Sequence, residues 1–258
     1  MKKRSPIVIS VPHSSTFIPE EEKKYFVSER LEHEILVMTD HYCDDLYDVG
    51  YEMVRFPVSR LVCDFERFRY DSMESMSAKG MGACYVSCSD QKPLRRLPDD
   101  HREEILRRYY DTYHKVLELA VEERLGQYGY CLIIDGHSFY ETPLPYEYDQ
   151  DPDRPDICIG TDDYHTPVQL AGLMCGFFEK KGYSVAVNAP FAGTMVPMKY
   201  YCCDKRVRSV MIELNRRLYM NRQGEIHIGY DRVKADISEL IDNALNLHRC
   251  LYETHKPA

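Results

Sequence analysis

"LIIDGHSF", residues 132–139, is the stretch that decides the fold. Leu132, Ile133 and Ile134 run without a polar break into Asp135 and Gly136, and His137 and Ser138 follow at once. A near-continuous apolar run of this length suits a strand covered on both faces, the usual state of a strand in a parallel sheet. Residues 8–15, "VISVPHSS", repeat the design: an apolar strand that stops at Pro12, then His13. Runs of strand length lie at 7–11, 51–56, 59–64, 130–134, 183–187 and 207–214. Between them, apolar residues recur at helical spacing over 29–49, 99–126, 166–181 and 232–252. Strands alternating with helices predict an α/β fold, with helices packed on a mainly parallel or mixed sheet. Two stretches, 66–98 and 138–165, carry neither period. Both follow predicted strands, so they are expected as long loops beside a ligand site. With no internal repeat and no low-complexity tract, residues 1–258 are expected to form a single domain.

The totals exclude several classes. The net charge is -9, and phosphate neutralisation needs clustered Lys and Arg, so no nucleic acid partner is expected. The basic run at 92–108 is interrupted by acids and reads as a solvated helix face. No apolar run reaches the ~18 residues of a membrane span. The apolar stretch near the start is cut by Pro6 and Pro12, so no secretory leader is expected. The ten cysteines then read as mostly buried, reduced thiols of a cytoplasmic protein. Cys84, Cys88, Cys202 and Cys203 form the one group worth weighing as a structural metal site, although C-x3-C with C-C is not a zinc spacing.

Polar groups collect where the predicted strands end. "VMIELNRRLYM" (210–220) embeds Glu213 among Val210, Met211, Ile212 and Leu214. A carboxylate in such a run must be paired, bound to metal or shifted in pKa. "SRLVCDFERF" (59–68) carries Arg60, Asp64 and Arg67. "MTDHYCDDLYD" (38–48) carries Asp40 and Asp44, which share one face if the segment is helical. Each alone has an ordinary structural reading, as a hydrogen-bonded strand end, a solvated helix face or an ion pair with Asp64 or Glu66. Together they make chemical sense. Two imidazoles and one carboxylate are the ligand set of a catalytic zinc with an open position. A further carboxylate moves protons, and arginines hold a substrate carboxylate. No H-E-x-x-H or other compact zinc signature is present, so the ligands must come from distant strand ends.

Taken in order, "VPHSS", "TDHYCDDLYD", "SRLVCDFERF", "LIIDGHSF", "DICIGTD", "NAPFAGTMVPMKYY" and "MIELNRRLYM" resemble the N-formylglutamate amidohydrolase family over roughly residues 7 to 220. The resemblance implies three αβα layers around a mixed, mostly parallel sheet, as in zinc exopeptidases and deacylases. It implies zinc-dependent hydrolysis of a small N-acyl amino acid, typically N-formyl-L-glutamate to formate and glutamate in histidine degradation. His13, Asp40, Asp44, His137 and Glu213 match the family's polar positions, and Arg60 and Arg67 match its two arginines. There are two departures. Ser15 stands where the family commonly has Gly, and Glu66 where it commonly has Asn. Glu66 adds negative charge beside the anion clamp and is expected to weaken binding of a doubly acidic substrate.

On this resemblance one Zn²⁺ per chain is expected on His13, Asp40 and His137, with Asp44 as the alternative to Asp40. Glu213 is expected as general base and then general acid, and Arg60 beside the developing oxyanion. Arg67, Asn215 and Thr194 are expected to contact the substrate, and loop 188–201 to close over it. The other readings are a related zinc deacylase or carboxypeptidase-like amidase with a different N-acyl amino acid or peptide substrate, and a two-metal phosphoesterase built on Asp40 and Asp44. Oligomeric state is not legible in the sequence.

Overall fold

The apolar runs assemble into one six-stranded sheet in a computed structural model that describes residues 2–253. The strands are β1 (Ile7–Val11), β2 (Glu52–Arg55), β3 (Cys131–Phe139), β4 (Ile157–Gly160), β5 (Val185–Val187) and β6 (Val207–Asn215). Their spatial order is β2-β1-β3-β6-β4-β5. β2, β1, β3 and β6 run parallel, while β4 is antiparallel to β6 and carries β5 parallel to itself. The sheet is therefore mixed and mostly parallel.

The helices are α1 (Glu20–Lys23), α2 (Ser28–Met38), α3 (Cys43–Leu46), α4 (Asp99–Ile105), α5 (Asp111–Tyr128), α6 (Val168–Lys180) and α7 (Tyr230–Glu253). Alternation along each strand gives the sheet two apolar faces. Val8, Val54, Ile133 and Val207 meet α2, α4 and α5 in one core. Ile7, Ile9, Leu132, Ile134, Val210 and Ile212 meet α3, α6 and α7 in the other. The result is three αβα layers.

Local differences from the sequence pattern have identifiable causes. Residues 59–64 form turns rather than a strand. The Asp64 N–H donates to Ala83 O at 2.8 Å, and Leu61, Val62 and Cys63 are buried as core side chains without pairing in the sheet. The helical period over 29–49 breaks after Met38. The Asp40 N–H donates to His13 O at 2.9 Å, which draws the chain out of the helix toward the end of β1. Asp40 and Asp44 consequently share no helical face. The stretch 138–165 holds the end of β3 and the whole of β4, a four-residue strand with every residue buried. A π turn, Leu106–Tyr110, joins α4 to α5 inside the helical pattern at 99–126.

At the far end of β6, Arg208 Nη1 donates to His248 Nδ1 of α7 at 3.2 Å. Burial first, then the Arg208 charge, push the His248 pKa from 6.5 down to about 3. The folded chain holds this ring neutral while the unfolded chain protonates it, so stability is full above about pH 6.5 and is lost as pH falls toward about 3. The loss from this group is about 2 kcal/mol by pH 5. His248→Gln is expected to flatten that part of the acid limb in urea unfolding followed against pH. An unchanged slope would remove His248 as its source.

Candidate active site

Three neighbouring strands deliver the site. β1, β3 and β6 lie side by side and parallel, so their C-terminal ends share one edge of the sheet. That is the edge where open parallel sheets bind ligands. His13 follows the end of β1, His137 lies near the end of β3, and Glu213 is its register partner on β6. In-register residues of parallel neighbours face the same side, so His137 and Glu213 point into one cleft. Asp135, two residues before His137, shares that face. The cleft measures about 770 Å³, and His13, Arg60, Glu66, Arg67, His137 and Glu213 are among its walls.

The rings of His13 and His137 are 5.1 Å apart, centroid to centroid. Asp40 stands at their Nδ1 edges, with Oδ2 3.2 Å from His137 Nδ1 and 3.7 Å from His13 Nδ1. Glu66 stands at their Nε2 edges, 3.2 Å from His137 and 3.6 Å from His13. Asp64 Oδ1 lies 2.9 Å from His13 Nε2, and Asp135 Oδ1 lies 3.2 Å from His137 Nε2. His13, Glu66 and His137 present ligand atoms within 4.8 Å of one another, a group able to hold a metal ion.

Two buried hubs fix this arrangement. Asp64 is fully buried and accepts from Arg60 Nη2 at 2.7 Å, Tyr85 Oη at 2.5 Å and the Glu66 N–H at 3.1 Å, besides its contact with His13. Arg216 donates to Asp40 Oδ1 at 3.0 Å, Val37 O at 2.6 Å and Ser138 Oγ at 3.1 Å. The first hub aims His13, and the second aims Asp40.

Charge in the site is unbalanced toward the negative. Asp40, Asp64, Glu66 and Asp135 face three guanidinium groups, Arg60, Arg67 and Arg216. Burial and Arg60 pull the His13 pKa down, but Asp64, Glu66 and Asp40 outweigh them and raise it. Burial also opposes charge on His137, yet Glu66, Asp135 and Asp40 lift its pKa well above the ordinary value. Burial opposes charge on Asp40 and Asp64 as well. The nearby His13, the hydrogen bond with His137 and the charge of Arg216 hold Asp40 well below the usual carboxylate range, and His13 and Arg60 do the same for Asp64. Glu213 differs. Burial, reinforced by Asp40 and Glu66 against His137, pushes its pKa to about 8. The surroundings thus favour positive charge between the imidazoles, which a divalent cation supplies while the rings stay neutral ligands. His13 Nδ1 and Glu213 Oε2 are also buried without a hydrogen-bond partner among the described residues. The donor set fits a metal.

The profile of the N-formylglutamate amidohydrolase family matches residues 5–220. The chain belongs to this family. It is 27% identical over 255 residues to N-formylglutamate deformylase of Pseudomonas aeruginosa, covering 94% of this chain and 93% of that one. It is 27% identical over 227 residues to N-formylglutamate deformylase of Pseudomonas putida, covering 84% and 82%. Among solved structures, the fold is similar to N-formylglutamate amidohydrolase from Ralstonia eutropha, with a TM-score of 0.82 at 23% identity over 98% of this chain and 97% of that one. A gene product from Agrobacterium tumefaciens gives 0.71 at 19% identity, over 94% and 91%.

Within the family fold, the residues singled out in the sequence separate into two groups. His13, Asp40, His137, Glu213, Arg60 and Arg67 are brought together. Asp44 is not: it is 44% exposed and lies 3.6 Å from Arg55. Asn215 is fully buried, but its amide is spent on Pro155 O at 3.0 Å and on the Arg217 N–H at 3.2 Å, capping the turn after β6. Thr194 lines the cleft, with its Oγ1 2.6 Å from Ser209 Oγ. The loop that carries it is tied to the site, because the Met195 N–H donates to Asp135 Oδ2 at 2.8 Å. The four cysteines make no joint group among the described residues: Cys84 and Cys88 are buried, while Cys202 and Cys203 are exposed. A second group, Glu34, Cys88 and Asp90, has its acids committed to Ser89, Arg30 and Lys92.

Sequence reading missed Asp135 and Arg216 and gave Glu66 a different place. The two-residue spacing of Asp135 and His137 carried a signal, since period two puts both on one face of a strand. Gly136 between them has a steric cause. A Cβ there would meet the Tyr47 ring at 2.9 Å, and that ring is fully buried, with its hydroxyl donating to Ile212 O at 2.8 Å. Gly136→Ala is therefore expected to cost about 1–3 kcal/mol from overpacking. A lowered midpoint in urea or thermal unfolding checks this, whereas an unmoved midpoint would mean that Tyr47 gives way freely.

Proposed function

We propose that this chain is a zinc-dependent amidohydrolase that removes the formyl or another small acyl group from the nitrogen of an amino acid, releasing the acid and the free amino acid. The observation that carries the reading is the convergence of His13, His137 and Glu213 from three adjacent strand ends onto one cleft. The names of the relatives support N-formyl-L-glutamate as a member of the substrate class, in the histidine-degradation step that the family resemblance implies. The free, buried thiols of Cys43, Cys63, Cys84, Cys88, Cys131 and Cys158 support a reducing, cytoplasmic setting.

His13, His137 and Asp40 would hold the ion. Asp64 and Asp135 support this set, because each takes a histidine Nε2 edge and so leaves the Nδ1 lone pairs toward Asp40. A carboxylate that fixes the second nitrogen is the usual companion of a metal-bound histidine. A second reading puts Glu66 in place of Asp40, favoured by its place in the group spanning 4.8 Å and by its position on the cleft wall. When bound, the ion supplies Lewis acidity, easing deprotonation of water and polarising the acyl carbonyl.

The chain's own residues do the rest. Glu213, with one carboxylate oxygen free of hydrogen-bond partners among the described residues, takes the proton of the attacking water and returns it to the leaving nitrogen. Its raised pKa puts acid and base forms within reach of each other near neutral pH. Arg60 offers positive charge to the developing oxyanion. Arg67, a quarter exposed on the cleft wall, binds the substrate carboxylate.

Metal analysis of protein purified without chelator, followed by assay on N-formyl amino acids, tests the reading. One zinc per chain and release of formate support it, while two metals per chain with phosphoesterase activity would replace it. Arg67→Ala is expected to raise KM for a carboxylate substrate by roughly tenfold or more with a smaller change in kcat. An unchanged KM would remove Arg67 from substrate binding.

A further inference from the structure

Resting on the amidohydrolase reading, we propose that the side chain of the preferred amino-acid substrate is large and apolar rather than a carboxylate, and that it lies on the mouth of the cleft formed by Phe68, Tyr70, Met73, Met198 and Tyr201. These five residues are 43% to 69% exposed, and all of them line the cleft. Single exposed apolar residues are ordinary, but five lining one cleft mark a binding surface.

The cations point the same way. N-formylglutamate carries two carboxylates, each of which pairs best with its own cation. Four arginines line the cleft: Arg60, Arg67, Arg69 and Arg216. Arg216 is spent on Asp40, Val37 O and Ser138, Arg69 on Asp111 and Glu103, and Arg60, which gives Nη2 to Asp64, serves the oxyanion. Among the described residues, no hydrogen bond holds the Arg67 guanidinium, whose Nε is 3.8 Å from Asp64 Oδ2. The cleft therefore offers one uncommitted guanidinium, enough for the α-carboxylate alone. Glu66 puts a carboxylate on the same walls with no lysine or arginine paired to it among the described residues, which disfavours a second carboxylate.

Connectivity assigns the apolar group to the side chain rather than to the acyl group. The substrate's α-carbon bears both its carboxylate and its side chain. With the carboxylate on Arg67, the side chain emerges beside the residues that follow Arg67, namely Phe68, Tyr70 and Met73. The acyl carbon lies at the other end, against the histidine pair and Glu213. A volume of about 770 Å³ leaves ample room, since sites of roughly 300–1,000 Å³ take drug-sized ligands.

The test is kcat/KM of the zinc-loaded full chain on N-formyl-L-phenylalanine, N-formyl-L-glutamate and N-formylglycine. The phenylalanine derivative is expected to exceed the glutamate derivative by at least about tenfold. Phe68→Ser and Met198→Ser are each expected to lower the phenylalanine value by roughly three- to tenfold and to leave N-formylglycine unchanged. If N-formyl-L-glutamate is cleaved as well as or better than the phenylalanine derivative, or if the variants lower all substrates alike, the side-chain assignment is overturned while the amidohydrolase reading stands. Cleavage of none of the three overturns both.

Discussion

Glu213→Gln is expected to keep its fold and its metal and to lose turnover by a factor of about 10²–10⁴. Glutamine copies the size of the side chain, so packing against the neighbouring β-strand residues is retained. What it loses is the ability to take and return a proton. Glu213 is buried, and one of its oxygens has no partner among the described residues, so little of the structure depends on its charge. Its basic form gains as pH rises toward about 8, so the acid limb of the kcat/KM profile is expected to follow this group and to vanish in the variant. Metal content, circular dichroism and initial rates measured on one preparation separate the outcomes. A variant with near-normal kcat would show that the proton moves through another group.

His137→Ala is expected to release the metal and, with it, nearly all activity. The ring is 3% exposed and touches Asp40, Glu66 and Asp135, so its removal takes a neutral ligand away and leaves three carboxylates facing one another. Elemental analysis is expected to fall well below one equivalent, and full occupancy would make His137 a bystander. The same measurement on Asp40→Asn and Glu66→Gln decides between the two carboxylates. Asp40→Asn also strips Arg216 of its charged partner, and breaking a buried pair in this way typically costs about 3–5 kcal/mol. Its metal loss therefore has to be read beside its unfolding midpoint. Glu66 is 20% exposed, so its variant carries no comparable penalty.

Much of this was legible in the chain. The strands of the sheet's centre announce themselves as apolar runs because both faces are covered, and the histidines stand out because each follows such a run directly. β4 was not legible: four residues inside a Pro- and Asp-rich stretch give too short a signal, and the strand exists because β6 and β5 flank it. The apolar run at 59–64 misled for the opposite reason, since its residues are buried by side-chain packing alone. In the site, the identity of the groups was readable but their edges were not. That Asp40 and Glu66 approach opposite edges of the same two rings depends on where the helix after Ser28 stops, and a backbone bond to His13 sets that point. Arg216 was hidden because its partners come from three separate segments, at Val37, Asp40 and Ser138.

The placement of β3 between β1 and β6 also constrains how the molecule is made. As the chain leaves the ribosome, His13 emerges early, yet its neighbouring strand ends at residue 139 and Glu213 comes later still. Pairings between segments so far apart along the chain form slowly, because the intervening polypeptide must be closed into a loop first. Nascent fragments thus hold separate site residues but no finished pocket. On the proposed metal reading, ion capture would be a late event that follows a nearly complete fold, so scarcity of the ion is expected to give folded, inactive protein rather than misfolded chains.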